Sequence, residues 1–107
     1  MAKVKFTLDP APTFKSVVNI PVAGSKPAPV EFIFKHRDRE QFKEFVEGLT
    51  DRQDVEVIMD MASGWDLDDA FDAESIGKLV TRYMGAFNAI CEVYFNELTK
   101  SGPRSGN

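Results

Sequence analysis

The sequence is poor in the residues that most often do chemistry. It holds one cysteine, Cys91, in 107 residues, so no internal disulfide can form. Such usage fits a reducing compartment. Cys91 lies among Ile90, Tyr94 and Leu98 on an apolar helical stripe, and it reads as a packing residue. His36 is the only histidine, which excludes histidine pairs and zinc clusters. A catalytic triad would need a serine or cysteine beside His36, and no strained nucleophile turn is visible. His36 therefore reads as a structural or surface residue. A glycine-rich phosphate loop is also missing, because AGSKPAP at 23–29 lacks the spacing and no helix follows it. No run approaches the roughly 20 apolar residues of a membrane helix. The start, MAKVKFTLDP, has charge but no apolar stretch of signal-peptide length. These absences predict a soluble, non-exported protein with no cofactor, no metal site and no catalytic residue.

What is present argues for a folded domain that meets other proteins. A length of 107 residues suits one domain with a modest core. Hydrophobic residues make up 43%, a globular and not a disordered composition. Nine Phe stand against one Trp and two Tyr. That many Phe rings fill a small core or form a surface that needs a partner. The net charge of −4 argues against nucleic-acid binding. Its distribution says more. Residues 1–39 carry seven Lys and Arg against three acids, whereas residues 51–74 carry nine acids against Arg52 alone. A basic front and an acidic middle could attract one another between copies. Equally, each charge could simply solvate its own face.

Patterning predicts an α+β chain: an N-terminal β-hairpin followed by about four helices, in one small domain. Residues 1–13 read as an extended arm, from which Phe6 and Leu8 could tuck onto a surface. The domain spans 14–100, and the polar tail 101–107 is expected to be flexible. Phe14 to Val22 alternates as a strand, and Pro21 suits its end or an edge. Val30 to His36 alternates too, with Val30, Phe32 and Phe34 on one face. A lone hairpin is marginal, so it must lie on helices or on another subunit. Asp38 and Gln41 form a capping-box pattern for a first helix, with Phe42, Phe45, Val46 and Leu49 on one face. A second helix is expected from about Arg52 to Ala62, with Val55, Ile58, Met59 and Ala62 aligned and Gly64 just past its end. After a loop from Trp65 to Phe71, Asp72 caps a third helix that aligns Ile76, Leu79, Val80 and Tyr83. The last helix aligns Phe87, Ile90, Cys91, Tyr94 and Leu98.

The acidic loop is the obvious place to test for a metal. A calcium-binding loop needs oxygen ligands at positions 1, 3 and 5, Gly at 6 and Glu at 12. Counted from Asp66, those last three positions hold Ala70, Phe71 and Gly77, so the pattern fails. Helix capping by Asp72 and a favourable first-turn Glu74 explain part of the charge. Trp65, Leu67 and Phe71 look too apolar for a loop. They form either an acidic-aromatic docking segment or a clamp that holds the helix corner to the core, and the clamp is the stronger reading.

Four segments, in this order, carry a family resemblance over nearly the whole chain: KFTLDPAPTFKSVVNIPV, VEFIFKHR, DVEVIMDMASGWDLDD followed by AF, and YFNEL. Together they resemble the tail assembly chaperones of long-tailed, siphovirus-type bacteriophages. The resemblance implies a non-enzymatic protein of the infected host's cytoplasm that is absent from the mature virion. It implies binding to the tape-measure protein, which the chaperone keeps soluble, and assembly into a homo-oligomer or spiral around it. A longer form made by ribosomal frameshifting, and through it the tail-tube protein, are further implied partners; nucleic acid and membrane are not. No binding residue can be carried over, because the segments supply patterns and not contacts. From charge alone, Lys15, Lys35, Arg37 and Arg39 are candidates to meet Asp66, Asp68, Asp69 and Asp72 of the next copy, in a head-to-tail contact. The rival reading is a small acidic regulator that mimics DNA to inhibit a nucleic-acid enzyme. A metal-dependent enzyme is a distant third.

Overall fold

Period-two alternation decides the first element pair. In β1 (Thr13–Ile20) the residues Val18 and Ile20 are buried, while Lys15, Val17 and Asn19 between and before them are exposed. In β2 (Ala28–Lys35) the buried set is Val30, Phe32 and Phe34. The strands pair antiparallel with Phe14 opposite Phe34 and Val18 opposite Val30. Their turn is closed by the Ser25 N–H donating to the Val22 carbonyl at 3.0 Å. Gly24 takes a φ of 74° there, a conformation glycine adopts without steric cost. The computed structural model describes residues 6–100 of the chain. The expected flexible tail at 101–107 and the first five positions of the expected arm lie outside the described residues.

The hairpin is part of a larger sheet than the sequence suggests. A third strand, β3 (Ala62–Trp65), pairs antiparallel with β2, giving the order β1-β2-β3. Ala62 thus leaves the second helix, and Gly64 lies in a strand rather than past a helix end. The segment ASGW is short and has no β-branched residue, so it carries almost no strand signal of its own. The free edge of β2 supplies the pairing that defines it. Gly64 sits opposite Ile33, and a Cβ there would come within 3.2 Å of Ile33 Cδ1.

The helices follow their caps. Before α1 (Arg39–Glu47), Asp38 and Gln41 make the expected reciprocal capping box, each bond at 2.9 Å. α2 (Asp54–Met61) buries Val57, Ile58 and Met61, while Val55 and Met59 pack more loosely on the core. The buried face is therefore rotated from the expected one, because β3 and the sheet approach α2 on its Val57–Met61 side. Asp72 caps α3 (Ala73–Arg82) through the Ser75 N–H at 2.9 Å. Tyr83 falls just beyond α3 instead of within it, and is exposed. α4 (Ala86–Thr99) buries Ala86, Ile90 and Tyr94.

The helices cover one face of the sheet, and α4 lies against β1. Phe34 and Tyr94 meet at 5.2 Å between ring centroids, and Phe14 stacks on Tyr94 at 6.3 Å. Phe42 and Phe45 anchor α1 on Phe95 and Tyr94. Burying side chains of this size stabilises by about 1.5–3 kcal/mol each before chain entropy is set against it. The opposite sheet face displays Lys15, Val17 and Asn19 to solvent among the described residues.

Candidate interaction surfaces

The four basic candidates sit close in the fold but differ in availability. Lys15 is exposed on the open sheet face, and Arg39 is exposed at the first turn of α1. Lys35 donates from Nζ to the Met59 carbonyl at 3.3 Å. Arg37 points inward at the corner between β2 and α1, with its side chain only 16% exposed. Its Nη1 donates to the Asp60 carbonyl at 3.1 Å and to the Tyr94 hydroxyl at 2.8 Å. Its Nη2 pairs with Asp60 Oδ1 at 2.9 Å, and its guanidinium lies 4.3 Å from the Phe45 ring centroid. The Tyr94 O–H donates in turn to the Lys35 carbonyl at 2.7 Å. Arg52 closes the cluster on Asp60 Oδ2 at 2.8 Å. Arg37 is thus occupied by its own chain.

Electrostatics in this cluster follow from the geometry. Burial alone would raise the Asp60 pKa. The Arg52 hydrogen bond, and the charge and hydrogen bond of Arg37, outweigh burial and hold it below the ordinary carboxylate value. Burial pushes the Tyr94 phenol up despite the Arg37 bond. Sequence reading missed Tyr94 and Asp60 as Arg37 partners. The signal was faint: a tyrosine on an otherwise apolar stripe, which needs a polar contact once buried. Cys91 packs half-buried on the core, as its stripe suggests, and burial with nearby Asp54 pushes its thiol up to about 11. His36 is half-buried, and its backbone N–H donates to the Pro12 carbonyl at 2.8 Å.

The acidic loop divides into structural and exposed carboxylates. Asp66 extends the ladder beside β2: its N–H donates to the Glu31 carbonyl, and its Oδ1 accepts the Glu31 N–H, both at 3.0 Å. Asp72 caps α3. The side chains of Asp68 and Asp69 are exposed and make no hydrogen bond or ion pair among the described residues. No group of three His, Cys, Asp or Glu among the described residues could hold a metal ion. No helix among them is long and apolar enough to cross a membrane.

Trp65 and Phe71 clamp the corner, matching the stronger of the two readings. Their rings meet edge-on at 5.1 Å, and Trp65 also meets Phe32 at 5.8 Å. The Trp65 indole N–H donates to the Asp69 carbonyl at 2.8 Å. Leu67 is different: it is 39% exposed. It lines a groove of about 320 Å³ together with Trp65, Leu79 and Tyr83, with Lys78 and Arg82 on α3 beside them. The groove was not legible in the sequence, because Tyr83 reads as a core residue of α3.

The bases and the loop are offset along the sheet: Lys35 lies at the end of β2, Asp66 beside Glu31 near its middle, and Lys15 opposite Ile33 between them. Lys35 pairs with Thr13 at one end of β2, and Glu31 bonds to Asp66 four residues back. Four residues of strand span about 13 Å. A family model described as phage tail assembly chaperone matches residues 1–107, the whole chain. No curated protein and no solved structure matches it. The chain belongs to the phage tail assembly chaperone family.

Proposed function

We propose that copies of this chain bind the tape-measure protein during tail morphogenesis, keep it soluble, and do so as an oligomer wrapped along it. Family membership supports the coarser statement, a non-enzymatic chaperone role in tail assembly with protein partners in the tail. The finer reading rests on one observation. The domain closes its own core, yet leaves large apolar side chains outside the arm in water: Met84 at 88%, Val17 at 47% and Val46 at 41% exposure. Side chains that the fold does not use are available to a partner, and a long helical partner offers apolar stripes to cover.

Charge separation along the sheet adds a direction to the contact between copies. Lys15, Lys35 and Arg39 would face Asp68 and Asp69 of the next copy. Such a heterologous contact repeats as a ring or an open helix. The working place is the host cytoplasm, the mature virion lacks the protein, and a longer frameshifted form would bring the tail-tube protein.

Co-expression with the tape-measure protein of the same phage tests the reading. The expected result is a partner that turns from insoluble to soluble and co-purifies with the chaperone. A partner that stays insoluble overturns tape-measure binding. Light scattering across a salt series tests the charge contact. Oligomers unchanged at about 1 M salt, where screening is nearly complete, overturn it.

A further inference from the structure

Two separate features of the fold match each other. The first is the segment that precedes β1. Phe6 and Leu8 are 79% and 87% exposed, so the arm does not tuck onto its own domain. The arm has local shape nonetheless, since the Asp9 N–H donates to Thr7 Oγ1 at 3.1 Å. It joins the sheet where Pro12 bonds to His36, at the Lys35 end. The second feature is the groove walled by Leu67, Leu79 and Tyr83 over Trp65. Its volume of about 320 Å³ is at the small end of ligand-sized pockets, roughly 300–1,000 Å³. That suits one or two apolar side chains better than a whole helix. Leu67 and Tyr83 are themselves 39% and 41% exposed, so the groove has apolar surface left to cover.

Charge complements the shape. Lys78 and Arg82 border the groove, and the arm carries Asp9 directly after Leu8. Lys78 has only a 3.9 Å contact to Glu74, and Arg82 makes no ion pair among the described residues. From Pro12 to Phe6 the chain reaches at most about 20 Å. Neither Phe6 nor Leu8 lines the groove of its own chain, and both stay exposed.

We infer that the arm of one copy seats in the groove of the next copy, with Phe6 and Leu8 between Leu67, Leu79 and Tyr83, and Asp9 beside Lys78 and Arg82. This rests on the reading that the copies assemble, and it specifies how. Arm and groove are different surfaces, so the contact is heterologous and propagates from copy to copy. Pro10 and Pro12 stiffen the linkage, which favours an arm that projects to a neighbouring copy.

The test uses two full-length proteins, each with Cys91→Ala, one bearing Leu8→Cys and the other Tyr83→Cys. On mixing and oxidation, a disulfide-linked heterodimer is the expected product. Phe6→Asp with Leu8→Asp should keep the wild-type circular dichroism and lose the oligomer at concentrations where wild type assembles. Asp9→Lys should raise the concentration needed for assembly about tenfold, and Arg82→Glu in the same chain should restore it. The inference is overturned if no heterodimer forms and the Phe6, Leu8 variant assembles like wild type. It is also overturned if a Leu8→Cys, Tyr83→Cys chain only bridges within itself. In either case a wild-type oligomer that still solubilises the tape measure leaves the proposed function standing. A wild type that is monomeric at every concentration and solubilises nothing defeats both.

Discussion

At the corner between β2 and α1, Arg37 holds three oxygen contacts within 3.1 Å and an aromatic ring. In the acidic loop, the side chains of Asp68 and Asp69 hold none among the described residues. Both regions carry dense charge, yet the fold uses them in opposite ways. The strand-to-helix corner leaves the Lys35 carbonyl without a ladder partner, and the last turn of α2 leaves the Asp60 carbonyl open; the Tyr94 hydroxyl donates to the first and the planar, many-donor guanidinium of Arg37 to the second. A loop outside the sheet has water on every side. Its carboxylates are called on only where N–H groups lack partners, at Glu31 and at the start of α3. Charge density alone does not separate an interface from a joint; the number of unmet backbone groups nearby does.

Breaking the joint should therefore cost far more than neutralising the loop. Arg37→Ala strands Asp60 and the Tyr94 hydroxyl, and should destabilise by about 3 kcal/mol in urea unfolding. Arg37→Lys should recover less than half of that, because an ammonium cannot reproduce the fork. Next in size is Tyr94→Phe, which leaves the Lys35 carbonyl without its donor and should cost about 1–2 kcal/mol by the same measurement.

Acid attacks the same joint. The folded pKa of Asp60 is lowered from its ordinary 3.8, so its contribution is complete above that value. It is lost as the pH falls below it, through the folded pKa. Stability measured against pH should drop on that side, and Asp60→Asn should flatten the drop. Because Asp60 is 35% exposed, solvent screening keeps this effect below that of removing Arg37.

The loop should respond in two grades. Asp72→Ala removes an N-cap and should cost about 1 kcal/mol. Asp68→Asn with Asp69→Asn should change stability by less than about 0.5 kcal/mol. The same pair should, however, lower the salt sensitivity of self-association in light scattering. Equal destabilisation by Arg37→Ala and by the Asp68, Asp69 pair would erase the distinction between joint and interface.

Much of the architecture was legible because its signals are local. The Asp38–Gln41 box and the Asp72 cap need only three residues of context, and β1 and β2 show their faces by simple alternation. The helical stripe of α4 marked Ile90 and Tyr94 for the same reason. β3 was hidden because ASGW has no propensity to announce it and exists by pairing with β2. The face of α2 was misread because Val55, Val57, Ile58, Met59 and Met61 are all apolar, so periodicity could not rank them. Among the candidate contacts, the exposure of Lys15, Asp68 and Asp69 agrees with a surface role. Arg37 could not be sorted from its neighbours without Tyr94 and Asp60, which lie 57 and 23 residues away.

The sequence by itself determined the elements with local codes: strand alternation, helix caps, and one turn at Gly24. It also determined the uneven charge and, through its ordered segments, the family. Only the tertiary structure decided the third strand, the inward turn of Arg37, and the groove beneath Leu67 and Tyr83. Each of those depends on what residues distant in sequence bring to one place, and pairing, burial and unmet hydrogen bonds are settled by that meeting.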